Sequence, residues 1–208
     1  MGFWERQVVP RVINLFLGTK GFAKLRRRTV GELEGEVLEV GFGSGLNVPH
    51  YPDTVTKVYA VDPSEVGQRL AAKRVAASPV PIEPIGLDGE HLPLDDDSVD
   101  AVLTTWTLCT IPHADQALRE MRRVLRPGGR LHFLEHGHAP DPKVQRWQRR
   151  LNPIQQRIAG GCHLDRRIDE LIAGAGFEID ELHTFYVAGP KSMSYMYAGQ
   201  AVAPSGGS

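Results

Sequence analysis

Three glycines at alternate positions, Gly41, Gly43 and Gly45, follow a run of strand-forming residues that ends in Glu39 and Val40. Glycines let a chain turn tightly and let its backbone approach a ligand with no Cβ in the way. The spacing is G-x-G-x-G, not the G-x-G-x-x-G that sets a pyrophosphate on a helix N-terminus. Glu39 would repel a diphosphate but suits a cationic ligand. Asp62 closes the next strand candidate, a place from which a carboxylate can take both hydroxyls of a ribose.

A second set of residues suits proton transfer. Glu135, His136 and His138 stand at the end of the fifth strand candidate, and His113 follows Cys109 at the end of the fourth. His163 follows Gly160, Gly161 and Cys162 at the expected start of a helix. Parallel sheets place ligands at the C-terminal ends of their strands, so these histidines form a rim where an acceptor should lie. His136 is the first choice for a general base and His163 the second, with Glu135 and His113 beside them. His136 and His138 with Glu135 and Asp141 suggest part of a metal site, but no third ligand stands at a diagnostic spacing, so no metal is expected. Cys109 and Cys162 have no C-x-x-C partner and read as small buried hydrophobes.

The elements that must position these residues come from a chain of 208 residues, which suits one domain. Its 24 Lys+Arg balance 25 Asp+Glu, for a net charge of −1 and a pI of about 6.7. That balance argues against a dedicated nucleic-acid binder. Two cysteines make no disulfide framework, so a reducing, cytoplasmic setting is expected. No apolar run reaches the roughly eighteen residues a spanning helix needs. Residues 3–17 read as an amphipathic helix crossed by Pro10, with charges that break the apolar block a signal peptide requires. The helix is expected to pack on its own domain, with peripheral membrane or dimer contact as the alternative. Arg26, Arg27 and Arg28 read as a solvated face.

Short apolar runs then alternate with helical patterns, the signature of βαβ units. Strands are expected at 36–40, 57–61, 82–86, 99–105, 130–135, 177–185 and 195–202. A helix is expected at 115–125, with Ala117, Leu118, Met121, Val124 and Leu125 on one face and Pro127-Gly128-Gly129 as its stop. A second is expected at 164–175, capped by Gly176. Residues 136–163 form a connection long enough to carry a substrate site. The tail at 204–208 is small and polar and reads as disordered.

The chain resembles the class I S-adenosylmethionine-dependent methyltransferases, and within them the methyltransferase type 11 domain, over roughly residues 31–140. Val37-Leu38-Glu39-Val40-Gly41-Phe42-Gly43-Ser44-Gly45 is similar to that family's first motif, with Phe42 where a smaller residue is common. Val58-Tyr59-Ala60-Val61-Asp62 resembles the second, and Asp88-Gly89-Glu90-His91-Leu92-Pro93 the segment that meets the adenine. Arg123-Val124-Leu125-Arg126-Pro127-Gly128-Gly129 resembles the turn into the fifth strand. The resemblance implies an α/β, Rossmann-like, seven-stranded, mostly parallel sheet in the order 3-2-1-4-5-7-6, strand 7 antiparallel, with helices on both faces. It divides the chain into a helical cap at 1–30 and the methyltransferase domain at 31–203. S-adenosyl-L-methionine is the implied cofactor. Glu39 and the carbonyl near Thr105 would hold its methionine end, Asp62 the ribose, and Asp88 with Gly89 the adenine. Gly41, Phe42, Gly43, Gly45, Asn47 and Pro63 would complete the cradle.

A narrower resemblance covers the second half. Thr107-Leu108-Cys109-Thr110, Phe133-Leu134-Glu135-His136, Trp147-Gln148, Gly161-Cys162-His163-Leu164-Asp165-Arg166 and Tyr197-Ala198-Gly199-Gln200-Ala201-Val202 are similar to the group that includes membrane-associated thiol methyltransferases. The long hydrophobic N-terminal anchor of that group has no counterpart in these residues. The leading expectation is methylation of a small-molecule hydroxyl, of a sugar, polyketide or lipid alcohol, with a histidine taking the proton. A thiol acceptor, a phospholipid head-group amine, and a cofactor-binding sensor or scaffold are the alternatives. A nucleic-acid acceptor is not expected: after the fourth strand the chain reads Thr104-Thr105-Trp106-Thr107, not the Asn/Asp-Pro-Pro-aromatic run that suits base amines.

Overall fold

Val37 and Leu38 are both fully buried although they point to opposite faces of one strand. That pattern requires a sheet covered on both sides, as parallel sheets are. The computed structural model describes residues 4–86 and 88–204, apart from the side chains of Glu5 and Arg6. Residue 3 of the expected N-terminal helix and residues 205–208 of the expected tail lie outside the described residues.

Seven strands form one sheet: β1 (Gly35–Val40), β2 (Val55–Val61), β3 (Ile82–Gly86), β4 (Val99–Thr105), β5 (Leu125–His136), β6 (Glu178–Tyr186) and β7 (Tyr195–Val202). Their order is β3-β2-β1-β4-β5-β7-β6, with β7 antiparallel to both neighbours and the other pairs parallel. The helices are α1 (Val9–Leu17), α2 (Lys20–Val30), α3 (Glu65–Ala76), α4 (Ala114–Val124), α5 (Pro142–Ile158) and α6 (Ile168–Gly174). On one face Leu38, Val40, Val102, Leu131 and Phe133 pack under Leu118 and Met121 of α4 and Ile168 and Ile172 of α6. On the other, Val37, Val55, Ala101 and Leu103 meet Val30 of α2 and Leu33. This places the C-terminal ends of β1, β2, β4 and β5 along one edge, where the glycine loop and the histidines lie.

Three expectations need correction. Strand β5 starts at Leu125, because the Pro127-Gly128-Gly129 turn is itself stitched to the sheet: Gly128 N–H donates to Ala203 O and Ala203 N–H to Gly129 O. The helix expected at 164–175 starts only at Ile168, because residues 164–167 form a turn and loop held by polar contacts. Asn152 Oδ1 accepts from Leu164 N–H at 2.8 Å, and the Arg166 guanidinium donates to the Ile111 and Pro112 carbonyls. The connection at 136–163 holds α5, capped by Asp141, whose Oδ1 accepts from Lys143 N–H, and started by Pro142.

The N-terminal segment is the third. Trp4–Val8 forms one turn of π-helix, and Pro10 sits in the first turn of α1 rather than crossing it. Only Val9 of α1 is buried, while Val12, Ile13, Leu15 and Phe16 are exposed. The helix therefore buries only its start, while Phe16 near its end meets the Phe22 ring of α2 at 5.2 Å between centroids. Among the described residues no helix is long and apolar enough to cross a membrane.

Candidate active site

The glycine loop is built on backbone conformations that side chains disfavour. Gly41 has φ +81, and a Cβ there would overlap the Thr107 side chain. Gly43 has φ +55 and faces open space: a Cβ would meet nothing nearer than Gly41 O at 3.8 Å and Asp62 Oδ2 at 3.9 Å. Gly43 N–H donates to Asp62 Oδ2 at 2.7 Å, and Ser64 N–H donates to Oδ1 at 2.7 Å. Burial raises the Asp62 pKa, and the two backbone donors oppose it. Each oxygen keeps a lone pair, so the carboxylate can still accept from two hydroxyls across the open space over Gly43. Phe42 is buried against Val48, Ala60 and Ala71, supporting the loop from beneath, and Pro63 is exposed.

Glu39 lies at the centre of a buried polar network. Asn47 Nδ2 donates to its Oε1 at 2.9 Å and the Tyr51 hydroxyl to its Oε2. Burial raises its pKa from 4.5 to about 7, against those hydrogen bonds and the nearby Arg26. Arg26 is 4% exposed. Its Nη1 donates to Asn47 Oδ1 at 2.9 Å and Thr105 Oγ1 at 3.1 Å, and burial lowers its pKa to about 10. The expected solvated face is thus corrected for Arg26: its position on α2 turns it into the sheet edge. The Thr105 carbonyl accepts from the Thr107 hydroxyl at 3.1 Å.

Asp88 is exposed, accepting from Glu90 N–H at 2.8 Å with His91 Nδ1 at 3.0 Å. His91, then the Glu90 amide, hold its carboxyl below the usual range. Gly89 lies so close to β1 that a Cβ would press on Val40 Cγ1 at 2.8 Å. His113, expected at the acceptor rim, is exposed, and its N–H donates to Glu90 Oε1 at 3.0 Å. It therefore stands with the Asp88–His91 loop.

The remaining rim residues differ from a set of free bases. Glu135 is fully buried and accepts from Thr107 N–H on both oxygens, at 3.0 and 2.9 Å, so it holds the turn after β4. His136 is 6% exposed, with Nε2 3.5 Å from Cys162 Sγ and no hydrogen-bond partner at Nδ1. Cys162 Sγ lies 3.6 Å from Cys109 Sγ. The contact from Cys162 pushes the Cys109 thiol well down in pKa, while the Cys162 thiol is pushed up. His163 is half-buried in the loop before α6; its N–H donates to Cys109 O at 2.7 Å and its Nδ1 lies 3.0 Å from Gln156 Nε2. The two cysteines, which sequence reading treated as separate core residues, meet here, 53 positions apart. No local spacing announces that meeting. Arg26 and Tyr51 were missed as well, since neither lies in a recognisable motif.

A family model described as a methyltransferase domain matches residues 38–133. Over 148 residues the chain is 37% identical to thiol S-methyltransferase TMT1B of Rattus norvegicus, covering 69% of this chain and 60% of that protein. It is 28% identical over 163 residues to phosphatidylethanolamine N-methyltransferase of Cereibacter sphaeroides, covering 75% of this chain and 78% of the relative. A solved Bacillus halodurans protein assigned as a methyltransferase superposes with a TM-score of 0.70 at 19% identity, covering 88% of this chain and 99% of that one. At that identity the likeness is one of fold. The match to the rat relative spans less than two thirds of its length.

Proposed function

We propose that this chain, whose domain and fold are those of the class I S-adenosylmethionine-dependent methyltransferases, moves a methyl group from that cofactor to the sulfur of a small-molecule thiol. The residues fit the cofactor on two observations: the space over Gly43 beside Asp62, which a Cβ would enter, and a buried carboxylate, Glu39, beside a buried guanidinium, Arg26. In this reading Asp62 takes the ribose hydroxyls and Asp88 with Gly89 the adenine. Arg26 takes the methionine carboxylate, and Glu39 with Asn47 its amino end. Gly41 and Gly45 shape the loop, with Phe42, Pro63 and Thr105 around it. Bound there, the cofactor supplies a methyl carbon on a positively charged sulfur. The protein's part is chiefly to hold donor and acceptor in line.

The observation that carries the thiol reading is the burial of His136 against Cys162. The first-choice base for an alcohol has Nε2 turned to Cys162 Sγ and Nδ1 buried, so neither nitrogen is free to take a proton from a hydroxyl. A thiol has less need of one, since it ionises near pKa 8.5, whereas an alcohol stays protonated at neutral pH. The name of the rat relative indicates the same acceptor class. A hydroxyl acceptor is the second reading, favoured by the half-buried ring of His163. We take the acceptor to be a free small molecule rather than a nucleic acid, in keeping with the net charge of −1, and its setting to be cytoplasmic.

The test is a screen with cofactor labelled in the methyl group, offering aliphatic and aromatic thiols, alcohols, and ethanolamine phospholipid vesicles. Labelled thioether is the expected product. Label in alcohols or phospholipid alone would overturn the thiol assignment.

A further inference from the structure

We propose that Cys109, His136 and Cys162 form a zinc site with one open position, and that the open position takes the acceptor thiol as a thiolate. The three ligand atoms lie within 4.8 Å of one another. Tetrahedral zinc, with Zn–S near 2.3 Å and Zn–N near 2.0–2.1 Å, sets sulfurs about 3.8 Å apart and sulfur and nitrogen about 3.6 Å apart. Here Cys162 Sγ is 3.6 Å from Cys109 Sγ and 3.5 Å from His136 Nε2. The donor set of two thiolates and one imidazole is one that zinc favours, and three protein ligands leave the fourth position for an exogenous one. His136 turns Nε2, the nitrogen a metal would take, toward Cys162 Sγ, while its buried Nδ1 has no acceptor among the described residues.

The scaffold supports three converging ligands rather than a chance meeting. Each ligand comes from a different segment, and the three segments are cross-linked beside the site. His163 N–H donates to Cys109 O at 2.7 Å. The buried Gln148 of α5 donates through Nε2 to Gly137 O at 3.0 Å and Leu164 O at 2.9 Å, tying the residues after His136 to those after Cys162. Arg166 Nη1 donates to Ile111 O at 2.6 Å and so holds the loop that carries Cys109. Gly160 and Gly161, at φ +63 and +89, make the turn that presents Cys162. Fixed ligands of this kind bind metal without an ordering cost. Cys109 and His136 are buried and Cys162 is half-buried, so access is from the Cys162 side.

On coordination the acceptor's S–H bond breaks, the electron pair stays on sulfur, and the proton leaves to solvent. No electron is transferred, and the zinc stays divalent. The metal site stands on the ligand geometry alone; its thiol occupant rests on the acceptor reading given above.

The experiment loads the full chain with zinc or cobalt(II) under reducing conditions, removes excess metal by dialysis, and measures metal content and the cobalt spectrum. About one equivalent of metal, tetrahedral ligand-field bands and sulfur-to-cobalt charge transfer are expected. Cys162→Ser should lose roughly half of the charge-transfer intensity or all of the metal, and circular dichroism of the metal-free protein controls for folding. Addition of benzenethiol should raise the charge-transfer band by about half again, as a third thiolate joins two. Absence of stoichiometric metal, or metal retained unchanged in a folded Cys109→Ser/Cys162→Ser double variant, overturns the site. A Cys109–Cys162 disulfide that forms in air and persists with zinc present also overturns it. Metal without a spectral response to benzenethiol overturns the open thiol position only. Thiol methylation at an undiminished rate by chelated protein does the same and leaves the acceptor reading intact.

Discussion

The Arg26 guanidinium lies 4.6 Å from the centre of the Trp106 ring, while its Nη1 donates to Thr105 Oγ1 at 3.1 Å. The first contact is a cation over an aromatic face and the second a charge-assisted hydrogen bond. Together they fasten α2 to the end of β4. Trp106 itself has φ +53, a conformation a bulky residue adopts only where its surroundings hold it. The segment at 20–30 therefore closes one side of the buried network of Glu39, Asn47 and Thr105.

Arg26→Met keeps most of the stem and removes the charge. It leaves Asn47 Oδ1 without its donor and Glu39 without its neighbouring cation. The variant is expected to lose about 1–3 kcal/mol of stability in urea denaturation. Calorimetry should show cofactor affinity reduced at least about tenfold, the scale of one charged hydrogen bond. Arg26→Lys should recover only part of it, because an ammonium lacks the planar fork. Unchanged affinity in a folded Arg26→Met protein would remove Arg26 from the cofactor site.

Two neighbouring glycines should separate folding from binding. A Cβ at Gly41 overlaps Thr107, so Gly41→Ala should be strongly destabilised. At Gly43 the protein leaves room, so Gly43→Ala should lose only about 1–2 kcal/mol for the left-handed backbone yet bind the cofactor far more weakly. Equal affinities for Gly43→Ala and wild type would show that the space over Gly43 is not used.

Asp62→Ala removes the acceptor of two backbone N–H groups and of the proposed ribose contact. Cofactor affinity should fall by about 1.5–3 kcal/mol. A cofactor analogue lacking both ribose hydroxyls should bind wild type and variant alike. Continued discrimination against that analogue by Asp62→Ala would move the ribose contact elsewhere.

Glu39 should leave a mark on the pH dependence of the cofactor-free protein. Its folded pKa of about 7 lies above the unfolded value of 4.5, so between these pH values the folded state holds a proton that the unfolded state has lost. Stability from this group therefore declines as pH rises from about 4.5 to 7, by up to about 3 kcal/mol. His132, buried and lowered from 6.5 to about 4, acts the other way, losing stability as pH falls from 6.5 toward 4. The difference between wild type and Glu39→Gln isolates the first contribution. Urea denaturation at pH 5 and pH 8 should show wild type losing stability relative to the variant at the higher pH. A constant difference would mean that Glu39 is ionised throughout.

The parts of this arrangement legible in the sequence were those encoded by local pattern. The continuous apolar runs of β1 and β4, buried on both faces, the apolar face of α4 and the strand-loop order carry the sheet topology. The glycine loop and Asp62 fall together because adjacent parallel strands end at the same edge. Contacts made across the sheet edge were not legible. Arg26 reads as one of three equivalent arginines until α2 docks. Cys109 and Cys162 read as unrelated until the loop after α5 folds back over β4. The long connection at 136–163 signals its importance by length, while the helix inside it, with an internal Pro153, gives a weak pattern.

His163 provides the sharpest choice between the two acceptor readings. Its ring is half-buried, and Gln156 Nε2 lies 3.0 Å from Nδ1; with that amide as donor the neutral ring carries its proton on Nε2, so base action at Nε2 requires the Gln156 amide to turn and accept from Nδ1–H. If the acceptor is an alcohol, His163→Gln should lower kcat by roughly 10²–10⁴-fold, the usual loss for a general base. If the acceptor is a thiol, the enzyme needs no such base. The variant should then keep kcat within a few-fold, and cofactor affinity should be unaffected in both cases, because His163 lies outside the proposed cofactor contacts. The measurement is kcat for the best thiol and the best alcohol, each with wild type and His163→Gln. Near-equal thiol rates are expected. A hundredfold loss confined to the thiol reaction would show that His163 takes part in it and that thiol ionisation alone does not account for the rate.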